Sequence, residues 1–171
     1  MAKIPLRFEH ATFETLDDGL KKSMQAWIDQ HKTGKESLML YGKPGVGKTH
    51  AMYSLLQKAP GIRHRFYNST EIIEDIRASF NDRYVQNPMH MLKGFDGYLF
   101  IDDFGTERLT DFVQDMFYQI INDRYINKLP TIISTNFDLS EIADRLGERV
   151  ASRLAEMCFI INVTGDDRRF K

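Results

Sequence analysis

The chain has 171 residues, 42% hydrophobic and 27% charged, with 11 glycines and 5 prolines. That composition excludes collagen-like, low-complexity and wholly disordered classes, and the length suits one domain that buries about 70% of its extended-chain surface, not two. The 23 Lys and Arg against 24 Asp and Glu give a formal net charge of -1, so the chain as a whole lacks the basic bias of a nucleic-acid binder, although a local basic patch is compatible with it.

Residues 4–12 read as an irregular lead. Asp17 or Asp18 can cap a helix that carries Leu20, Met24, Trp27 and Ile28 on one side and ends near residues 32–34. The apolar run 37–41 meets a glycine-rich turn and then a helix over 50–58 with Ala51, Leu55 and Leu56 at helical spacing. Pro60-Gly61 turns the chain into a strand over 63–67, followed by a helix over 71–78 with Ile72, Ile73 and Ile76 on one face. Segment 80–92 has no clear period, and Phe80 and Tyr84, four apart, are expected as a core-facing helical pair.

The stretch 96–101 is nearly all apolar and ends in paired aspartates, as a buried parallel strand with a catalytic edge would. A helix over 111–125 carries Phe112, Met116, Phe117, Ile120 and Ile121, and Pro130 introduces a strand over 131–135. Residues 139–154 read as one or two helices and 157–163 as a last strand before a charged tail over 166–171. Strands alternating with helices of this length imply an α/β fold, a parallel sheet covered by helices on both faces. Cys158 is the single cysteine and lies in an apolar run, so neither an internal disulfide nor a cysteine-based zinc cluster can form, and it is expected as buried packing. The 5 histidines show no short-spaced pair on a helix face. The N-terminal MAKIPLRFEH lacks the apolar core of a secretory signal, and no stretch approaches the roughly 20 apolar residues of a membrane span, so the expected compartment is the cytoplasm.

Gly42-Lys43-Pro44-Gly45-Val46-Gly47-Lys48-Thr49 fits G-x-x-x-x-G-K-[ST] between a predicted strand and a predicted helix. The glycines let consecutive N–H groups curl around a phosphate, Lys48 reaches the β- and γ-phosphates, and the Thr49 hydroxyl can ligate magnesium. Nucleotide contact is expected from this run and from His50, with ATP or ADP and Mg2+ as the implied ligands. Asp102 fits the second magnesium-positioning element, and Asp103 is placed to orient an attacking water, with helix capping as its structural alternative. Asn136 ends the next strand, where an amide can hydrogen-bond the water or the γ-phosphate or simply close an Asx-turn. Arg145, Arg149 and Arg153 are spaced by four. A surface salt bridge is assigned to Arg145, while Arg149 or Arg153 can reach a neighbouring subunit's γ-phosphate, and Arg168 or Arg169 can approach the phosphate from within the subunit.

The segments IPLRFEHATFETL, YGKPGVGKTH, LFIDDFG, DFVQDMFYQIINDRY, LPTIISTNF, RLGERVASRL and TGDDRR together resemble the AAA+ ATPase domain of bacterial and phage replicative-helicase loaders, and the related ATP-binding helpers of insertion-sequence transposition. The resemblance spans nearly the whole chain. It implies a three-layer P-loop NTPase fold with a central parallel five-stranded sheet and no full C-terminal lid, as a lead over 1–14 and an ATPase domain over 15–171. Lys48 and Thr49 look like the Walker A pair, Asp102 and Asp103 like Walker B, Asn136 like sensor 1, Arg153 like the arginine finger with Arg149 in reserve, and Arg169 like the sensor 2 arginine. Family members form ATP-dependent homo-oligomers, bind single-stranded DNA and deliver a replicative DNA helicase, or assist a transposase. Loaders usually carry a separate N-terminal helicase-binding module, so this chain is expected as a minimal phage-type member, a fragment or a paralogue. Arg77, Arg83, Tyr84 and Lys93 are candidate DNA contacts. A transposition helper, a nucleotide-gated adaptor with little hydrolysis, motivated by the short arm of Asp103, and a small-molecule kinase are the competing readings.

Overall fold

The computed structural model describes residues 4–30, 37–59, 61–80 and 88–168. Its elements in chain order are α1 Asp18–Gln30, β1 Ser37–Tyr41, α2 Lys48–Lys58, β2 His64–Asn68, α3 Ser69–Ser79, α4 Pro88–Gly94, β3 Tyr98–Asp102, α5 Asp111–Ile126, β4 Thr131–Thr135, α6 Leu139–Leu146, α7 Glu148–Met157 and β5 Cys158–Asn162. The strands form one five-stranded sheet in the order β2-β3-β4-β1-β5. Every pairing is parallel, with Leu38 opposite Ile132 and Phe159, and Leu99 opposite Thr131.

Successive strand side chains point to opposite faces, and this alternation sorts the core into two layers. Leu38, Leu40, Phe100, Ile132 and Ile161 pack with α1, α2 and the lead. Met39, Leu99, Ile101, Ile133 and Cys158 pack with α3 to α7. Both faces are apolar because both are covered, which is why the strands read as continuous hydrophobic runs rather than alternating ones. Cys158 is buried, as expected, and burial pushes its thiol well above the ordinary range.

Several boundaries differ from the sequence reading for local reasons. The lead is not irregular: it forms two 3-10 turns, Leu6–Phe8 and Phe13–Thr15, and buries Ala11 and Phe13. Its Phe8 ring stacks on Tyr53 of α2 at 4.6 Å between centroids. Helix α2 begins two residues early, at Lys48, because Gly47 takes φ 104° at its N-cap. Met157 closes α7 instead of opening β5, and residues 139–154 are two helices parted by Gly147 at φ 96°. Phe80 is not a core residue. It follows the last residue of α3, is 65% exposed, and among the described residues meets the edge of Phe112 in ring contact, at 5.9 Å. Tyr84, Pro60 and the expected end of α1 near 32–34 lie outside the described residues.

Arg124 anchors the amino-terminal edge of the sheet. It is fully buried on α5, and its guanidinium donates to Thr131 Oγ1 at 2.8 Å and to the carbonyls of Leu92 at 2.8 Å, Phe95 at 3.2 Å, Gly97 at 3.1 Å and Pro130 at 2.7 Å. These acceptors belong to α4, the approach to β3 and the start of β4; the Phe95 and Pro130 carbonyls also take the N–H groups of Gly97 and Leu99, so the guanidinium ties together backbone that the ladders only partly engage. Burial lowers its pKa to about 10, so the fork stays charged at neutral pH. Arg124→Met is expected to cost about 3 kcal/mol or more, because it removes all five hydrogen bonds of a buried guanidinium at once. Urea unfolding checks this through a lower midpoint, and a loss under about 1 kcal/mol would contradict the anchoring role.

Candidate functional site

The carboxyl ends of β1, β3 and β4 converge on a cavity of about 980 Å³, lined by Pro44, Gly45, Gly47, Lys48, Thr49, His50, Asp102, Asp103 and Asn136 together with Arg7, Phe8, His10, Thr106 and Arg168. Residues expected from three distant stretches of sequence thus face one space. A parallel sheet brings them together because its strand ends share one edge.

The turn after β1 is held at both flanks. Gly42 donates its N–H to the Thr135 carbonyl at 3.3 Å, and a Cβ there would collide with the Val163 carbonyl. Val46 is buried in the core and pins the middle of the loop, while Lys43 contributes its carbonyl to Lys48. The Lys48 ammonium is 6% exposed and donates to Gly42 O at 2.7 Å, Lys43 O at 2.9 Å and Asn136 Oδ1 at 2.8 Å. It sits at the start of α2, where the helix N-terminus also favours an anion. Asn136 therefore reaches from β4 to the phosphate-loop lysine.

Asp102 is 7% exposed and lies under Thr49, whose hydroxyl donates to its two oxygens at 3.1 and 3.0 Å. Ser134 donates a short hydrogen bond to the same carboxylate. Burial raises the Asp102 pKa, the neighbouring Asp103 raises it further, and the bonds from Ser134 and Thr49 oppose both. The Thr49 hydroxyl and Asp102 carboxylate are hard oxygen ligands side by side, a fit for magnesium, which takes one or two protein oxygens and fills its shell from water and phosphate. Among the described residues there is no cluster of three acidic, His or Cys ligands, so such an ion would depend on the nucleotide.

Asp103 has φ 57°, a left-handed conformation that aspartate tolerates better than most residues. Its N–H donates to Ser134 Oγ at 3.1 Å, and its carbonyl accepts from Ser69 Oγ at 2.9 Å and Thr106 Oγ1 at 2.8 Å. Its Oδ2 accepts from Asn68 Nδ2 at 3.4 Å. Asn68, Ser69 and Ser134 are the supporting residues that sequence reasoning missed or passed over. Asn68 and Ser69 fall between the strand expected over 63–67 and the helix expected over 71–78; Asn68 caps α3, and its place opposite Asp102 in the register shows only once β2 is paired with β3.

The lead and the tail close the cavity's mouth. His50 Nε2 lies 2.6 Å from Thr15 Oγ1. Arg168 pairs with Asp17 at 2.9 Å, and its N–H donates to the Gly45 carbonyl at 3.0 Å, so the tail runs along the phosphate loop. Asp17 divides its carboxylate between Arg168 and the Leu20 N–H that opens α1. Arg169 lies outside the described residues.

Arg153 does not face this cavity. It lies against α5, donating from Nε to Asn122 Oδ1 at 2.8 Å and from Nη1 to the Arg149 carbonyl at 3.0 Å, over the rings of Tyr118 and Tyr125. Arg149 also lies over Tyr118. Among the described residues Arg145 makes no ion pair: its guanidinium donates to the carbonyls of Gly105 at 2.8 Å and Glu107 at 3.2 Å and lies over the Phe137 ring. The loop after β3 presents carbonyls where no helix or sheet partner exists, and Arg145 satisfies them. Of the candidate DNA contacts, Lys93 is paired with Asp123 at 2.8 Å and Arg77 lies over Phe112, while Arg83 and Tyr84 are outside the described residues.

A family model described as IstB-like ATP binding protein matches residues 4–171. The chain is 28% identical over 178 residues to the replicative helicase loader DnaI of Bacillus subtilis, covering 93% of this chain and 54% of DnaI. It is 25% identical over 143 residues to the putative ATP-binding protein of insertion sequence IS21 from Pseudomonas aeruginosa, covering 80% of this chain and 53% of that protein. The chain thus spans about half the length of these curated relatives. The crystal structure of the DnaC helicase loader superposes with a TM-score of 0.80 at 26% identity, covering 94% of this chain and 100% of that one. The fold is therefore that of AAA+ P-loop helicase loaders, as the motifs implied.

Because the folded-state pKa of Asp102 is raised, its ionised form opposes folding above that pKa, and the opposition disappears as pH falls and the carboxyl takes up a proton. Asp102→Asn keeps an acceptor for Thr49 and Ser134 and removes the charge. It is expected to melt higher than the native chain at pH 8, with the difference shrinking on acidification; a variant that melts lower at pH 8 would contradict this. Thermal unfolding followed by circular dichroism across pH 4 to 8 measures it.

Proposed function

The chain belongs to the IstB-like ATP-binding protein family, and from that premise we propose that it is a cytoplasmic ATPase that works as a homo-oligomer on single-stranded DNA in DNA replication, loading a replicative helicase. The observation that carries the reading is the convergence of Lys48, Thr49, Asp102, Asp103 and Asn136 on one cavity.

In this reading the loop N–H groups over residues 42–49 and the Lys48 ammonium hold the β- and γ-phosphates of ATP. Binding draws the ammonium from the Gly42 and Lys43 carbonyls, which lie at hydrogen-bond distance and cost little to exchange. Thr49 and Asp102 would hold magnesium, which when bound neutralises phosphate charge. Asp103 orients the attacking water and accepts its proton, and Asn68 fixes the carboxylate through the bond to Oδ2. Asn136, already bonded to Lys48, connects the lysine's position to the end of β4. Arg153 of one copy would meet the γ-phosphate held by the next and stabilise the charge that develops on transfer. A transposition helper shares all of this chemistry and differs in the protein it serves, a transposase; the likeness to the IS21 protein supports it as the second reading.

Phosphate release from Mg-ATP is expected to rise per subunit with protein concentration or with single-stranded DNA. Lys48→Ala and Arg153→Ala are each expected to lose at least about 100-fold. A native chain that binds ATP but releases no phosphate at any concentration, with or without DNA, would leave a nucleotide-gated adaptor. Pull-down against a replicative helicase and a transposase separates the two partner readings.

A further inference from the structure

Resting on the nucleotide reading above, we propose that Asp17 is a positioning residue for nucleotide binding: it holds the Arg168 guanidinium against the phosphate loop, where Arg168 binds the α- or β-phosphate that ADP and ATP share.

The pair starts from a rigid point. Asp17 precedes the first residue of α1, and its Oδ1 accepts the Leu20 N–H at 2.9 Å, which fixes the carboxylate as the cap of that helix. Leu20, Met24 and Trp27 bury α1 in the core, so the carboxylate is carried by a packed element and not by a loop. Its Oδ2 accepts from Arg168 Nη2 at 2.9 Å, across 151 residues of sequence. Arg168 is held a second time through its backbone, whose N–H donates to the Gly45 carbonyl at 3.0 Å. Ion pairs open to solvent contribute little when two long side chains must first be ordered. Here the helix cap and the loop carbonyl already restrain both partners.

The remaining edge of the guanidinium faces the loop. Arginine carries five N–H donors and no acceptor, and Asp17 takes one of them. Nε and Nη1 lie against Gly47, where an added Cβ would stand 3.3 Å from Nε and 3.4 Å from Nη1, and among the described residues neither nitrogen makes a hydrogen bond. Gly47 and Arg168 both line the nucleotide cavity and Asp17 does not, so the cation stands between the carboxylate and the space the phosphates would fill. Position along the loop indicates which phosphate is met. Lys48 and Asn136, bonded to each other, and Asp103 mark the γ-phosphate end. Arg168 touches Gly45 and Gly47 instead, in the stretch whose N–H groups cradle the α- and β-phosphates. The contact is therefore made to a group present before and after hydrolysis, and it retains ADP as well as ATP.

Isothermal titration calorimetry with Mg-ADP and with the magnesium complex of β,γ-methylene-ATP tests this. Arg168→Gln is expected to weaken ADP about tenfold, the loss of one charge-assisted hydrogen bond, and to weaken the ATP analogue by the same factor within about twofold. Asp17→Asn keeps an oxygen to cap α1 and removes the charge; a loss of about threefold for both nucleotides is expected. The double variant is expected within about twofold of Arg168→Gln alone, because nothing is left for the carboxylate to position. A purely structural role for Asp17 would instead multiply the two losses, and that result overturns the proposal. Unchanged or tighter ADP binding by Asp17→Asn overturns it too, as does a loss in Arg168→Gln confined to the ATP analogue, which would put the guanidinium at the γ-phosphate. Should Arg168→Gln fail to fold, as judged by circular dichroism, ADP binding by Asp17→Asn decides alone. If ADP does not bind the native chain, or binds Lys48→Ala equally well, the nucleotide reading itself has failed, an outcome distinct from equal binding by the native chain and Asp17→Asn.

Discussion

The rest of the site depends on burying one ionised carboxylate, Asp102, at the end of β3. A carboxylate taken out of water beside a second acidic residue is costly unless donors surround it. Thr49 and Ser134 are those donors, the first from the opening turn of α2 and the second from the end of β4. Ser134 serves twice: its hydrogen goes to Asp102, and its lone pair takes the Asp103 N–H. One hydroxyl thus holds two consecutive aspartates in different roles, the first buried and the second turned out through a left-handed backbone.

That outward turn has to be supported, because the loop after β3 leaves the sheet with its carbonyls unmatched. Thr135 and Ser69 take the carbonyls of Phe104 and Asp103, and Arg145 takes those of Gly105 and Glu107. The loop is therefore tied to β4, α3 and α6 at once. At the opposite edge of the sheet, Arg124 does the equivalent work for the connections entering β3 and β4. Two buried or half-buried arginines, neither lining the cavity, hold the frame in which the candidate site residues are placed.

These supports mark where the sequence was informative. The phosphate loop, the paired aspartates and Asn136 were legible because each needs a particular residue type at a strand end, and strand ends are visible as breaks in apolar runs. The sheet and its helical cover followed from runs too apolar to have a wet face. Arginine was misread because a guanidinium has the same letter whether it meets a carboxylate, a ring or a set of carbonyls. Arg145 satisfies a loop that has no signature of its own, and Arg124 could not be told from the solvated residues around it on α5. Phe80 departs from the core-facing expectation because it is the C-cap of α3, which ends at Ser79, and its ring is largely exposed. The register that brings Asn68 to Asp102 is a property of strand pairing and lies in neither segment alone.

The division of the arginines also bears on assembly under the proposed reading. Among the described residues Lys48, Thr49, Asp102, Asp103 and Asn136 line the cavity of the chain that carries them, as does Arg168 at the mouth. Arg153 lies elsewhere, with Nε and Nη1 engaged by Asn122 and Arg149 and its plane over Tyr118 and Tyr125. A long side chain fixed at two nitrogens and stacked on a ring has already lost most of the rotamer freedom that a trans-acting cation must give up on meeting its phosphate. Its Nη2 makes no hydrogen bond among the described residues. The face of α5 and α7 thus holds the guanidinium in a fixed orientation with donors in reserve among the described residues, and under the proposed reading the charge stabilisation would be completed when a second copy brings a nucleotide to that face.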